Sequence, residues 1–403
     1  MKKTLFVIFI LALFFRLAAV ISQDESEKSL YADAKEYDTI ATNIVSGHGF
    51  SKVIEGPKVP TTRRTPLYPL FLSGIYAVFG HSYIAVKLIQ ALLGALFCIV
   101  IFLITNLIYN NTRISIIASI LAALYKPFIA GFHYYGGPAY VLSEYFYMFI
   151  LGIAILASLL FVKKENKIFG ILAGLSTGLA ILTRPEFVLF PVFLTVYLLC
   201  VSKQPARRQI KKYFIMYLFI LLTITPWTLR NYIVAGKFIP LSTLNGKVFL
   251  FGNNSLASGG WAYPENYDKL ADEIKDLSEY EKNRVLLRKG IGELKKNPKR
   301  IPVLYIKKIL VHWAPFEKGF EVFNPYYAVL LLFGSIGILF FRRRNIMEYI
   351  LLMIFFTTTL TAVITWGDPR YRYPYEFGLI IFTALAMNDI FIIAYRKRAN
   401  YGK

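Results

Sequence analysis

Between its first apolar run and the second, the chain reads Tyr31-Ala32-Asp33-Ala34-Lys35-Glu36-Tyr37-Asp38, three carboxylates and two phenols in one short stretch. A carboxylate in a cleft that partly desolvates it is suited to accept a proton from a hydroxyl nucleophile. A helix beginning near Leu30 would place Asp33 and Tyr37 on one face. On spacing alone Asp33, Glu36 and Asp38 are equal candidates for a base. All three also fit a plain acidic helix start, which the helix dipole favours. A second acid, Glu144 of Ser143-Glu144-Tyr145, opens an apolar stretch where an ionised group is expensive. A site residue or a hydrogen bond to a neighbouring helix explains it equally. Asp33 and Glu144 together form a candidate site for a divalent cation such as Mg or Mn through oxygen ligands, and His133, beside Tyr134 and Tyr135, leaves the metal's identity open.

Guanidinium groups recur beside prolines and aromatics. They stand in Arg63-Arg64-Thr65-Pro66-Leu67-Tyr68-Pro69, in Thr183-Arg184-Pro185-Glu186, in Pro226-Trp227-Thr228-Leu229-Arg230-Asn231-Tyr232 and in Gly367-Asp368-Pro369-Arg370-Tyr371-Arg372. Arginine forks bind phosphate bidentately. Singly each arginine reads as an interfacial anchor; their recurrence on one face suggests a cleft for an anionic lipid headgroup.

The elements that must position these residues are membrane helices. Of 403 residues 56% are hydrophobic and 16% aromatic, and mean hydropathy is +0.50, too apolar for a soluble domain. Laying the roughly 20-residue span template along the chain gives ten spans, near 4–22, 83–109, 113–130, 139–162, 167–182, 186–201, 212–228, 326–341, 346–366 and 372–395. Much of the formal charge of +22 sits in short runs between spans, among them Lys163-Lys164, Arg207-Arg208 with Lys211-Lys212, Arg342-Arg343-Arg344 and Arg396-Lys397-Arg398. That distribution follows the positive-inside rule rather than nucleic-acid binding. It places both termini in the cytoplasm and two long loops, 23–82 and 229–325, on the outer face of the cytoplasmic membrane. The chain thus divides into an N-terminal membrane part, 1–228, carrying the catalytic first loop; an extracytoplasmic region, 229–325, with short amphipathic helices; and C-terminal membrane helices with a basic tail, 326–403. Ile301–Trp313, with Lys307-Lys308 in its middle, reads as an interfacial helix.

Arg16 interrupts the first apolar run and no cleavage site follows it, so that run reads as a retained helix and not a signal peptide. Cys98 and Cys200 lie in apolar runs and imply neither a disulfide nor a metal site. Asn110-Asn111-Thr112 and Asn253-Asn254-Ser255 match the glycosylation acceptor pattern without further support. No P-loop, dinucleotide fingerprint, His-Glu-x-x-His or Gly-x-Ser-x-Gly occurs, so a soluble nucleotide cofactor is not indicated.

In order along the chain, Asp33-Ala34-Lys35-Glu36-Tyr37, Ala41 to Phe50, Arg64-Thr65-Pro66-Leu67-Tyr68-Pro69, Leu142-Ser143-Glu144, Leu182 to Glu186, Pro226 to Tyr232 and Gly367 to Tyr371 resemble the C-type superfamily of membrane glycosyltransferases. The resemblance is to bacterial members of family 39, the protein mannosyltransferases and lipid A aminoarabinose transferase. It implies an all-α polytopic membrane enzyme that inverts at the anomeric carbon of a polyprenyl-phosphate sugar, with Asp33 as base on the acceptor hydroxyl. It implies that Glu144 binds metal or acceptor and that Arg184, Arg230, Arg370 and Arg372 hold the donor phosphate, with Tyr37, Arg63, Arg64, Tyr68 and His133 as further substrate contacts. The acceptor would be a lipid, a glycan or a protein. The alternative from another class is a transporter or flippase for an anionic or polyprenyl-linked lipid. The charged groups cluster at one face rather than at the midplane, and no inverted repeat is evident, which disfavours alternating access.

Overall fold

The structure, a computed structural model, describes residues 2–22, 32–53, 57–131, 137–201, 206–317 and 320–401. It consists almost entirely of helices. The first apolar run forms α1 (Lys2–Ile21) and the acidic stretch forms α2 (Ala32–Val45). A small antiparallel hairpin, β1 (Ser51–Val53) with β2 (Lys58–Pro60), leads to α3 (Leu67–Phe79). The bundle continues through α4 (Tyr83–Tyr109), α5 (Thr112–Leu124), α6 (Lys126–Ala130), α7 (Ser143–Lys164), α8 (Lys167–Thr183), α9 (Leu189–Val201) and α10 (Ala206–Ala235). The second long loop folds into α11 (Asn245–Gly252), α12 (Tyr267–Glu273), α13 (Glu279–Lys296) and α14 (Ile301–Trp313). A two-residue pairing of β3 (Phe316–Glu317) with β4 (Val322–Phe323) precedes α15 (Pro325–Ile336), α16 (Ile346–Ile364), α17 (Pro369–Arg372) and α18 (Glu376–Tyr401).

Among the described residues, six helices are long and apolar enough to cross a membrane: Lys2–Ile21, Tyr83–Tyr109, Ser143–Lys164, Gln209–Ala235, Ile346–Ile364 and Pro369–Arg396. The other four expected spans fall on the shorter apolar stretches Thr112–Leu124, Lys167–Thr183, Pro185–Val201 and Pro325–Phe341. Local chemistry explains where they stop. Asn110 ends α4 in the left-handed conformation, and the Asn111 side chain accepts from the Arg113 and Ile114 amides to start α5. The expected run 113–130 breaks at Tyr125 because Pro127 can join a helix only in its first turn, here that of α6. Leu67–Phe79, inside the first loop, is a further apolar helix that the span template did not single out.

Helices α1, α4, α5 and α7 meet at a buried charge. Arg16 donates through Nε to Tyr145 Oη at 2.7 Å, through Nη1 to the Ala12 and Ala123 carbonyls and through Nη2 to the Ala122 carbonyl at 3.2 Å. Gly94 of α4 makes room for this cluster, since a Cβ there would lie 2.0 Å from the Tyr145 hydroxyl. With every donor directed at an acceptor, α1 carries its arginine without leaving it unpaired in an apolar core.

The two long loops close over one end of the bundle. Glu279, at the start of α13, accepts from Thr61 Oγ1 at 2.8 Å and the Thr62 amide at 2.8 Å, and it also pairs with Lys52, so the first loop is fastened to the second. Helix α14 buries Leu304, Lys308, Val311 and His312 and leaves Val303, Ile306 and Leu310 exposed on its other face, the division expected of an interfacial helix. Lys308 donates to Asn253 Oδ1 and to the Val363 carbonyl. Asn253 is therefore buried and committed, which removes the second glycosylation triplet from consideration.

Candidate active site

The cavity beneath these loops has a volume of about 970 Å³ and is lined from both halves of the chain. Helix α2 contributes Asp33, Glu36 and Tyr37, one turn apart as their spacing dictates. The stretch before α3 brings Arg63 and Arg64, the α8 terminus brings Arg184, and α17 brings Arg370.

Asp33 is held by two guanidinium groups. Arg64 Nη2 donates to Oδ1 at 2.5 Å and Arg370 Nη1 donates to Oδ2 at 2.9 Å. Burial alone would raise the carboxyl's pKa, but the two arginines outweigh it and hold Asp33 well below the ordinary carboxylate range. Arg64 also donates through Nε to Glu36 Oε2 at 2.7 Å, and Arg63 pairs with Glu36 at 3.2 Å. Of the three equal candidates on α2, only Asp33 touches both Arg64 and Arg370. Asp38 faces elsewhere, accepting from Tyr76 at 2.7 Å and facing His81 Nε2 at 2.8 Å.

Glu144 lies behind Arg370. It is fully buried, does not line the cavity and binds Arg370 Nε. Arg370 thus stands between Asp33 and Glu144, the two acids expected from the sequence to share a cation, and touches both. Arg184 Nη2 is 3.8 Å from the same Glu144 oxygen, while its Nε pairs with Glu186 at 2.9 Å and its head lies over Tyr371. Among the described residues Arg184 Nη1 and Glu144 Oε2 have no hydrogen-bond partner.

Four other expected contacts fall outside the cavity or beyond description. Tyr68 is buried one layer back, its hydroxyl donating to Gln90 at 3.1 Å and its ring supporting Tyr37 edge-on at 5.1 Å. Arg230 is spent on backbone, donating to the Thr61 carbonyl at 2.6 Å and the Phe50 carbonyl at 2.7 Å. Arg372 is buried against Glu376 and Glu317, donates to the His312 carbonyl at 2.9 Å and lies over the Tyr327 ring. The reason is angular: positions two apart on a helix point about 200° apart, so α17 can present only one of Arg370 and Arg372 to the cavity. His133, with Tyr134 and Tyr135, lies outside the described residues.

A divalent cation does not fit the donors in hand. No three His, Cys, Asp or Glu side chains converge among the described residues, and guanidinium groups already face both Asp33 and Glu144.

Local sequence aims the key arginine. Asp368 accepts from the Arg370 amide at 2.8 Å and Pro369 sits in the first turn, so α17 starts at a fixed point and projects Arg370 inward. Sequence reasoning did not single out Lys247, Trp261 and Tyr263, which also line the cavity. They belong to the loop whose fold is set by close packing: a Cβ at Gly246 would meet the Asn283 carbonyl oxygen at 2.0 Å, and only glycine lets α11 approach α13 so closely. The glycine beside a lysine in a short amphipathic segment was the available signal.

In its helical architecture the chain has the fold of the C-type superfamily of membrane glycosyltransferases. Within that class, residues 63–229 match the family described as dolichyl-phosphate-mannose-protein mannosyltransferase. No curated protein matches in a sequence comparison. Among solved structures, the oligosaccharyltransferase AglB of Archaeoglobus fulgidus, in complex with an inhibitory peptide and a dolichol-phosphate, aligns with a TM-score of 0.59 at 14% identity, over 100% of this chain and 51% of that one. The same organism's oligosaccharyltransferase in complex with Zn and sulfate aligns at 0.58 and 14%, over 97% and 49%. ArnT from Cupriavidus metallidurans bound to undecaprenyl phosphate aligns at 0.56 and 14%, over 95% and 60%. The chain thus spans about half the length of the archaeal enzyme, and the likeness at these identities concerns the fold. The all-α membrane architecture and the resemblance read from the motifs are both borne out.

Proposed function

We propose that the protein is an inverting glycosyltransferase that moves a sugar from a polyprenyl-phosphate donor to a hydroxyl acceptor, working at the outer face of the cytoplasmic membrane with both termini in the cytoplasm. The observation that carries this reading is Asp33, held between Arg64 and Arg370 on the wall of a cavity at one end of a membrane bundle. The structural neighbours bound to dolichol-phosphate and undecaprenyl phosphate support the donor class.

The chemistry is balanced by few groups. The acceptor hydroxyl gives its proton to Asp33 as its oxygen attacks the anomeric carbon; the bond from that carbon to the phosphate oxygen breaks, and polyprenyl phosphate leaves with the electron pair. The growing phosphate charge is received by guanidinium groups, so no acid is needed to protonate the leaving group. Arg370, Arg64 and the unsatisfied Nη1 of Arg184 are the available donors. In the donor-free state those forks are occupied by carboxylates. A phosphate that takes over part of them loosens the arginines' hold on Asp33 and raises its basicity at the moment a base is required.

The test is transfer by reconstituted protein given polyprenyl-phosphate mannose and membrane extract. Asp33→Asn keeps the shape but removes the proton acceptor and is expected to lower turnover by at least about 10²-fold with an unchanged melting temperature. Near-normal turnover in that variant would overturn the assignment. Mass spectrometry of lipid-linked sugars from cells lacking the protein then names sugar and acceptor together.

A further inference from the structure

A second recess, of about 310 Å³, opens beside the main cavity, between the first hairpin and helices α11 to α13. Its charged lining is lopsided. Lys52, Arg63, Lys247, Lys275 and Lys282 line it with a single carboxylate among the described residues, Glu279, while Arg63 also pairs at 3.2 Å with Glu36 on the main-cavity side. That carboxylate is already committed to Lys52, Thr61 and Thr62. Arg63 and Lys247 line both the recess and the main cavity.

Lys247 is the informative member. It is half-buried, and among the described residues it makes no hydrogen bond and no ion pair. Its ammonium group lies instead over the rings of Phe251, at 5.2 Å, and Tyr267, at 5.8 Å. Burial first and Arg63 second disfavour its charged form and outweigh the more distant pull of Glu36 and Asp33, so an arriving anion would favour it. On the cavity side of this lysine, Trp261 stacks on Phe251 at 5.3 Å and packs against Tyr263 at 4.5 Å, with Trp261 and Tyr263 about half exposed. Exposed rings beside a cation without a counter-ion suit a saccharide that turns an apolar ring face to the aromatics and an acidic group to the lysine.

We propose that Lys247 and Arg63 form a second anion subsite, separate from the Arg64, Arg184 and Arg370 group, and that it takes the phosphate or carboxylate of an acidic saccharide acceptor. That the bound saccharide is the acceptor rests on the glycosyl-transfer reading. The subsite itself does not, because it is built from a different set of residues.

The experiment measures glucose 6-phosphate, glucose and inorganic phosphate binding to the full-length protein in nanodiscs, with and without saturating undecaprenyl phosphate. Glucose 6-phosphate is expected to bind equally in both states and more tightly than either of the other probes. Lys247→Gln should weaken it about tenfold, the size of one charge-assisted contact, while Lys247→Arg, which keeps the charge, restores it. Four results overturn the subsite: one-for-one displacement of glucose 6-phosphate by undecaprenyl phosphate, binding no better than glucose, binding no better than inorganic phosphate, or indifference to Lys247→Gln. If undecaprenyl phosphate itself fails to bind, the donor reading falls, and the glucose 6-phosphate measurements made without lipid still decide the subsite.

Discussion

Arg370 holds Asp33 through Nη1 and Glu144 through Nε, so neither acid can change without disturbing the guanidinium between them. Glu144→Gln and Arg370→Ala are therefore expected to weaken undecaprenyl phosphate binding less than additively, with a coupling of about 0.5–3 kcal/mol. Strict additivity would show that Glu144 does not act through Arg370. The same contact predicts a pH signature. In the free protein the arginines, outweighing burial, hold Asp33 ionised far into acid, whereas a bound phosphate that draws them off lets its pKa rise toward the ordinary carboxylate range. A base works deprotonated, so the acid limb of kcat should lie at higher pH than that of kcat/KM, which reports the free enzyme. Coincident limbs would mean the arginines never let go. The carboxylates of this site were legible because Asp33, Glu36 and Tyr37 share a helical face. Their partners were not: Arg64 lies 31 residues from Asp33 and Arg370 lies 337 away, distances over which spacing carries no information.

At the scale of elements, α17 divides its two arginines between function and fold. Arg370→Ala should weaken lipid-phosphate binding and also lower stability, because it strips the fully buried Glu144 of its nearest cation. Arg372→Ala should destabilise the protein by about 3–5 kcal/mol, because it removes the cation beside the buried Glu376 and Glu317, and leave lipid-phosphate binding unchanged in the folded fraction. Undecaprenyl phosphate binding by both variants, measured in one detergent below their melts, separates the two roles, and equal losses of affinity would refute the division. Asp368→Ala removes the cap and should cost about 1 kcal/mol of stability, with a larger loss of transfer because Arg370 is no longer aimed. The motif around Gly367 was visible in the sequence, but which arginine it serves depends on the helical turn that Asp368 and Pro369 impose. The apolar runs were legible as helices throughout; their ends shifted where Pro127 and the Asn110-Asn111 pair broke a run that hydropathy alone would continue.

For the whole molecule, the join between the two long loops at Glu279 governs whether the cavity stays roofed. Burial would raise this carboxyl's pKa, but hydrogen bonds from Lys52 and the Thr62 amide overcome that and lower it below the ordinary glutamate range. A depressed carboxylate contributes stability above its unfolded pKa and loses it as pH falls through the folded value. Limited proteolysis of the loops should thus accelerate in acid, and Glu279→Gln should give that acid pattern at neutral pH; equal cleavage of variant and wild type would separate the roof from this residue. The overall bundle could be read from hydropathy, yet the clamp could not, because it joins residues more than two hundred positions apart. A similar separation in sequence gives Arg16 a role in biogenesis. Its acceptors at Ala122, Ala123 and Tyr145 are synthesised 106 to 129 residues after it, so until they arrive Arg16 has only the Ala12 carbonyl of its own helix and then Cys98 of α4 to donate to. Assembly is then ordered in time: the acceptor set of Arg16 is complete only when α5 and α7 have joined α1 and α4, and nascent chains arrested before Ala122 should present quality-control proteases with an incompletely satisfied intramembrane charge.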